Sequence, residues 1–243
     1  AMCKQEDEET NDVETQNIAS CASMCLKLSA QATRDEIVPL VMPFVTENIQ
    51  NDNWRLREAA CLSFGCILNG PSKDSLAPLM HAMIPKMLQK LQDPVVLVRD
   101  TSAWSLGSIA EHHGTLLQPG ETLNEYIRML MKSLKDKPRV AYQASYALNE
   151  LASVWCNDEQ YQDSYPLSPT FGPIVQAMLE ASKRPDASES NLRPSMLNAI
   201  STMIENSAAD CEEATLQLLP VIMDELRVSF ASSMHASELL ELQ

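Results

Sequence analysis

The stretch Trp54-Arg55-Leu56-Arg57-Glu58-Ala59-Ala60-Cys61-Leu62-Ser63-Phe64-Gly65-Cys66-Ile67 recurs in altered form as Val96-Leu97-Val98-Arg99-Asp100-Thr101-Ser102-Ala103-Trp104-Ser105-Leu106-Gly107-Ser108-Ile109. Arg57 falls on Arg99, Glu58 on Asp100, Gly65 on Gly107 and Ile67 on Ile109, an offset of 42 residues. The same step carries Pro43 onto Pro85 upstream, and Trp104 onto Tyr146, Leu106 onto Leu148 and Ile109 onto Leu151 downstream. A period of about 40–47 residues belongs to helical hairpins stacked along one axis.

Each copy has the same internal order. A first helix carries internal proline (Pro43; Pro78 and Pro85), which removes a backbone donor and bends the helix. A short polar turn follows, Asn51-Asp52-Asn53 in one copy and Asp93-Pro94 in the next. Asp93 is expected as an N-cap and Pro94 as the first helical residue, where no N–H partner is needed. A second helix starts at Trp54 or Val95 and carries the arginine. Two such helices cannot bury their apolar faces alone and must stack on neighbours, which is the logic of a HEAT-type repeat. The expected fold is all-α: a right-handed α-solenoid of HEAT repeats, antiparallel helix pairs in a superhelical fragment.

Residues 1–243 read as a single array. A partial repeat, 1–30, ends in a helix from about Glu14 to Ala30 with Ile18, Cys21, Ala22, Cys25 and Leu28 on one face. Full repeats follow at about 35–69, 72–113, 120–155 and 171–206, and a further partial repeat occupies 210–243. Gly70-Pro71 is expected to stop the second helix of the first full repeat near Asn69, and Gly114 that of the next. The irregular stretch Cys156 to Thr170 stretches the period, so that Arg99 to Arg193 spans 94 residues. Both ends read as cuts through a longer array.

With 33 acidic and 18 basic residues the formal net charge is −15. Such a surface disfavours direct binding of nucleic acid and anionic membranes and suits basic peptides, although strong net charge also serves solubility alone. The seven cysteines sit inside helical patterns (Cys21, Cys25, Cys61, Cys66) rather than in loops, so a disulfide framework is not expected; Cys21 and Cys25, one helical turn apart, could share a metal, but with no histidine pair at ligand spacing near them they read as buried small hydrophobes. No apolar run approaches the length needed to insert across a bilayer. There is no Gly-rich phosphate loop, nucleophile elbow, zinc motif or framed carboxylate pair, so neither an enzyme nor a cofactor or metal site is expected. His112 and His113 close a helix, where a cation suits the dipole.

On the second helix of the middle copy, Val96, Val98, Ala103, Leu106, Ile109 and Ala110 account for buried faces. Asp100, Trp104, Ser108 and Glu111 then fall three or four residues apart on what remains. The next copy places Tyr142, Tyr146, Asn149 and Glu150 correspondingly, and the preceding one places Glu58. If second helices line a concave side, this stripe is a wall of acids and rings suited to Lys and Arg side chains. The alternative is that Trp104 fills the core between repeats.

At these residues the sequence resembles the importin-β (karyopherin-β) nuclear import receptors. The resemblance is carried by Ile49 to Ala60, Phe64-Gly65-Cys66-Ile67-Leu68-Asn69-Gly70-Pro71, Val98 to Trp104, and Arg184-Pro185-Asp186 with Asn191-Leu192-Arg193, and it extends over nearly the whole chain. It implies a segment from the middle of a longer superhelix that carries cargo through the nuclear pore, moving between cytoplasm and nucleus. It also implies partners: the basic importin-β-binding segment of importin-α or a basic cargo signal on the inner face, Ran-GTP, and Phe-Gly repeats of nucleoporins. Trp104 matches a family tryptophan that contacts the adaptor segment, and Tyr146 stands where the family has another. Glu6, Asp7, Glu8 and Glu9 match the family's acidic loop, with Gln16 where that loop typically ends in tryptophan. The competing class is a structural HEAT scaffold of the phosphatase or condensin type, in which the acids only solvate the surface.

Overall fold

Residues 18–156 and 162–223 are described in a computed structural model of the chain. The polar turn before the first copied helix shows why the helix starts where it does. Asn51 Oδ1 accepts from the Asn53 N–H at 2.9 Å, and Asn53 Oδ1 accepts from the Arg55 N–H at 3.0 Å. The Asn53 side chain thus fills an orphan donor of the first turn, and helix α3 runs Trp54–Cys66. Before it come α1 (Ile18–Thr33), a 3-10 turn (Arg34–Ile37) and α2 (Val38–Asn48). After it come α4 (Lys73–Lys90), α5 (Val96–His113), α6 (Glu121–Ser133), α7 (Pro138–Ala152), α8 (Phe171–Ser182), α9 (Leu192–Glu205) and α10 (212–223). Pro43 lies inside α2, and Pro78 and Pro85 lie inside α4. Among the described residues there is no strand.

The helices pair as α2 with α3, α4 with α5, α6 with α7, and α8 with α9. The second members also form their own row: α1, α3, α5, α7 and α9 pack broadly side by side, whereas α4 and α6 barely touch. The more crowded row is the inner one, so the stack curves around its second helices. One apolar core runs through every layer, from Ala30 to Leu218, with Phe64, Met80, Met87, Leu106, Ile109 and Tyr126 fully enclosed. The Tyr126 hydroxyl donates to the Leu106 carbonyl, which satisfies the polar end of a buried ring.

Arginines join consecutive layers. The Arg57 guanidinium grips Asp93 of the following turn with two bonds, Nε to Oδ2 at 2.7 Å and Nη2 to Oδ1 at 2.9 Å. Its third nitrogen, Nη1, donates to the carbonyls of Asn51 and Asp52 at the start of its own helix. Arg99 repeats the arrangement on Asp136, at 2.6 and 2.8 Å, with Nη1 on the carbonyls of Asp93 and Pro94. At the third junction the matching position is Ala141 and the polarity reverses. Arg184, from the turn after α8, reaches back to the Leu134 carbonyl at 2.9 Å while its other nitrogens hold Asp186.

Four local expectations are corrected. Asp93 is not the N-cap of α5: its carboxylate faces the Arg57 fork and accepts from the Val95 N–H, so the helix starts at Val96. Helix α3 ends at Cys66 rather than Asn69, and Gly70 is needed for close approach, since a side chain there would collide with the Ala30 carbonyl. On α1, Ile18, Cys21, Cys25 and Leu28 are exposed, and the helix joins the core through Ala30 and the partly buried Leu26. Cys21 and Cys25 are therefore surface thiols, while Cys61 and Cys66 are buried; all cysteines among the described residues are free.

The irregular stretch before α8 is tied down at its far end. The N–H groups of Ala209 and Asp210 donate to the carbonyls of Gln162 and Asp163, the Ser168 hydroxyl bonds Asp210 at 2.6 Å, and Tyr165 and Leu167 are buried. The extra residues thus brace the layer that follows them.

The Arg57–Asp93 pair generates a stability prediction. Asp93 is nearly inaccessible, and burial alone would raise its pKa, yet the Arg57 fork and the Val95 N–H hold it below the usual carboxylate range. A depressed carboxyl contributes stability above its unfolded pKa of about 4 and loses it as pH falls through the folded value. Asp93→Ala, which strands the Arg57 guanidinium, should destabilise the chain by about 3–5 kcal/mol at pH 7. In denaturant titrations the gap between variant and parent should narrow on going from pH 7 to pH 3; a constant gap would show that the pair is not what acid dissolves.

Candidate functional site: the inner groove around Trp104

Helix α5 is enclosed on nearly every side, leaving only a narrow strip toward the inner row. Trp104 lies on that strip, half-buried, with its ring laid across Gly65 of α3; a Cβ on Gly65 would come within 2.5 Å of the ring's Cζ3. One period on, Tyr146 of α7 lies across Gly107 of α5 in the same way. The glycines on one inner helix thus make the seats for the aromatic residues on the next. This answers the question left open for Trp104: it closes the seam between two layers with one part of its ring and presents the rest to the groove.

Around the ring are Lys27 and Gln31 from α1, Cys66 and Asn69 from the end of α3, and Ser108, Glu111 and Tyr146. The Lys27 ammonium stands over the Trp104 ring, 4.5 Å from its centroid. The Tyr146 hydroxyl donates to Glu111 Oε2 at 2.5 Å, and His112 Nε2 lies 3.6 Å from the same oxygen. Burial, with Glu111 beside it, pushes the Tyr146 phenol well above its ordinary value, so it stays a donor at any physiological pH. Burial pushes the Cys66 thiol up to about 12, which makes it an inert part of the wall. The groove holds a cation against an indole face with a carboxylate nearby.

The expected wall is only partly assembled. Trp104, Glu111 and Tyr146 meet at this groove. Tyr142 is exposed on α7, a turn before Tyr146, and Glu150 lies a turn beyond it, bonded to Asn149 at 3.0 Å. Glu58 and Asp100 are not on the surface. Glu58 is fully buried and accepts from the Thr101 hydroxyl at 2.9 Å; Asp100 is buried and accepts from Arg139 at 2.7 Å. Burial raises the Asp100 carboxyl above the usual range despite the Arg139 charge. Both acids serve contacts between adjacent layers, because the following helix supplies each with a donor. Glu6, Asp7, Glu8 and Glu9 lie outside the described residues.

Lys27, Gln31 and Asn69 were not among the expected site residues. The 42-residue offset could have found two of them, since Lys27, Asn69 and Glu111 occupy equivalent positions in three successive copies. Among the described residues no cluster of His, Cys, Asp and Glu could hold a metal ion, and no helix is long and apolar enough to cross a membrane.

Paired helices in one curved stack, with an inner row that presents rings and an acid to the groove, define a HEAT-repeat α-solenoid. Residues 54–109 match the HEAT-like repeat model, and residues 125–239 match the model described as importin subunit beta-1-like, TPR repeats. Importin subunit beta-1 of Arabidopsis thaliana is 40% identical over 231 residues, covering 93% of this chain and 26% of the relative. Solved structures of Kap95p with RanGDP and with Nup1 superpose with a TM-score of 0.87 at 29% identity, covering 94% and 95% of this chain and 26% of theirs. The chain belongs to the importin-β family of nuclear transport receptors, and it spans about a quarter of the length of the relatives it matches.

The seat under Trp104 is testable. Gly65→Ala should displace the indole and destabilise the fold by about 1–3 kcal/mol, as overpacking does. In a Trp54→Phe/Trp155→Phe background, the emission of Trp104 should shift as the ring moves. Unchanged melting and emission would show that the ring is not held by its glycine.

Proposed function

We propose that this chain binds a lysine- and arginine-rich segment along its inner row of helices, as part of a nuclear transport receptor. The observation that carries this reading is the Lys27–Trp104 contact: the ring already holds an ammonium at 4.5 Å, with Glu111 and the Tyr146 hydroxyl lining the same groove. A cation over an indole gains from the ring's quadrupole, and a nearby carboxylate adds Coulomb attraction. The partner of matching chemistry is the basic importin-β-binding segment of importin-α, or an equivalent basic cargo signal. Tyr142 and Glu150, on either side of Tyr146 along α7, extend the same face. Solved relatives named in complex with RanGDP and with Nup1 support Ran-GTP and Phe-Gly nucleoporins as further partners, and hence traffic between cytoplasm and nucleus through the pore. The receptor binds and releases; no chemical step is assigned to it.

The structural-scaffold reading has one observation behind it, the commitment of Glu58 and Asp100 to internal bonds. The two readings separate in a titration of the chain with a Lys/Arg-rich peptide, followed by tryptophan fluorescence. Trp104→Ala should weaken binding by about 1–3 kcal/mol, as removal of an interface hot spot does, with a small change in melting temperature. A large drop in melting temperature at unchanged affinity would leave Trp104 as packing alone.

Salt gives a further check. Exposed charges are screened beyond about 8–10 Å at physiological ionic strength, so peptide affinity should fall as salt rises. Affinity that is flat from low to high salt would assign the binding to apolar contact.

A further inference from the structure

Lys27 enters the groove from α1 and sets its ammonium over the Trp104 ring. On the 42-residue register it is equivalent to Asn69 and Glu111, and all three line the same groove. The acid at this register holds the ring hydroxyl of Tyr146, and the base at this register holds the face of Trp104. An ammonium on that face is the contact that a lysine from a basic segment would make there. Two ammonium groups cannot occupy it together, because they would meet in volume and in charge. Lys27 is only half-buried and its four-carbon stem is flexible, so it can leave without moving α1.

We infer that Lys27 is an internal occupant of the Trp104 face, a built-in competitor that a basic peptide must displace in order to bind; this rests on the basic-peptide reading above. Binding is then an exchange of one cation for another. The part of the affinity that comes from the ring is reduced by the contact already in place, as when only a fraction of a protein is competent to bind. The groove also stays covered while empty, which discourages weak single-lysine ligands and favours segments that bring several charges at once.

The test is a cycle on the full chain with a Lys/Arg-rich peptide as the probe. Lys27→Met keeps the stem and removes the charge, and Lys27→Gln is a second neutral variant. Each should tighten peptide binding about two- to fivefold, the range expected for releasing an exposed cation–ring contact. Lys27→Arg keeps a cation on the ring and should bind as the parent does. Neutralising a lysine at the groove also favours a basic ligand by charge alone, and that gain would survive loss of the ring. The gain should therefore disappear in a Trp104→Ala background; an equal gain with and without the ring overturns the inference, as does a gain in Lys27→Arg. Parent binding with no gain in either neutral variant overturns the inference and leaves the peptide reading intact, whereas no binding by any of the chains overturns both.

Discussion

A guanidinium fork closing on a carboxylate one layer away is the constraint on which the stack depends. Arg57 and Arg99 each bind three groups at once: two oxygens of an aspartate in the next turn and the carbonyls that open their own helix. One side chain therefore fixes where its helix begins and how far away the next layer lies. Two parallel bonds to a planar group define direction as well as distance, which a lysine in the same place would not do. The apolar core supplies most of the favourable free energy but is tolerant of small slides between layers. The forks are not, and at the first two junctions they recur 42 residues apart.

Recognition and packing share the same register. Because inner helices approach closely enough to need glycine at 65 and 107, the aromatic residues of the next layer are held flat across them. A flat, supported ring has little freedom to lose when a cation settles on it. The acids of the inner row divide by depth. Those one turn into the second helix, Glu58 and Asp100, meet a donor from the neighbouring layer. Glu111, near the end of α5, meets the groove instead.

The period, the helical class and the placement of prolines inside first helices were legible in the sequence because each is a local or evenly spaced signal. The roles of Asp93, Glu58 and Asp100 were not, since each is decided by a partner 36 to 43 residues away: Arg57, Thr101 and Arg139. Periodicity says which face a residue occupies and is silent on whether the neighbour brings a donor. Helix α1 shows the same limit from another side. The exposed run of large apolar residues suggested the docking face, but the helix meets the core at Ala30 and Leu26 instead. Trp104, Tyr146 and Glu111 could be placed on one face because they stand at the edge of helices related by the 42-residue step. Lys27 was missed because α1 lies one period upstream of the copies that were compared.

The junction between the third and fourth layers is built differently from the two before it. The first two are joined by forks whose paired bonds share one plane. At the third, Ala141 stands where a fork would start; Arg184 reaches back to the Leu134 carbonyl, and α7 and α9 are joined directly through Ser145 with Ser195, Asn149 with Asn198 and Ser153 with Asn206. Mechanically, a planar pair resists both shear and twist at one point, whereas separate bonds along two helices share the load over their length. The array thus changes how its layers are stitched after the second joint, from one planar fork at a turn to contacts spread along two facing helices.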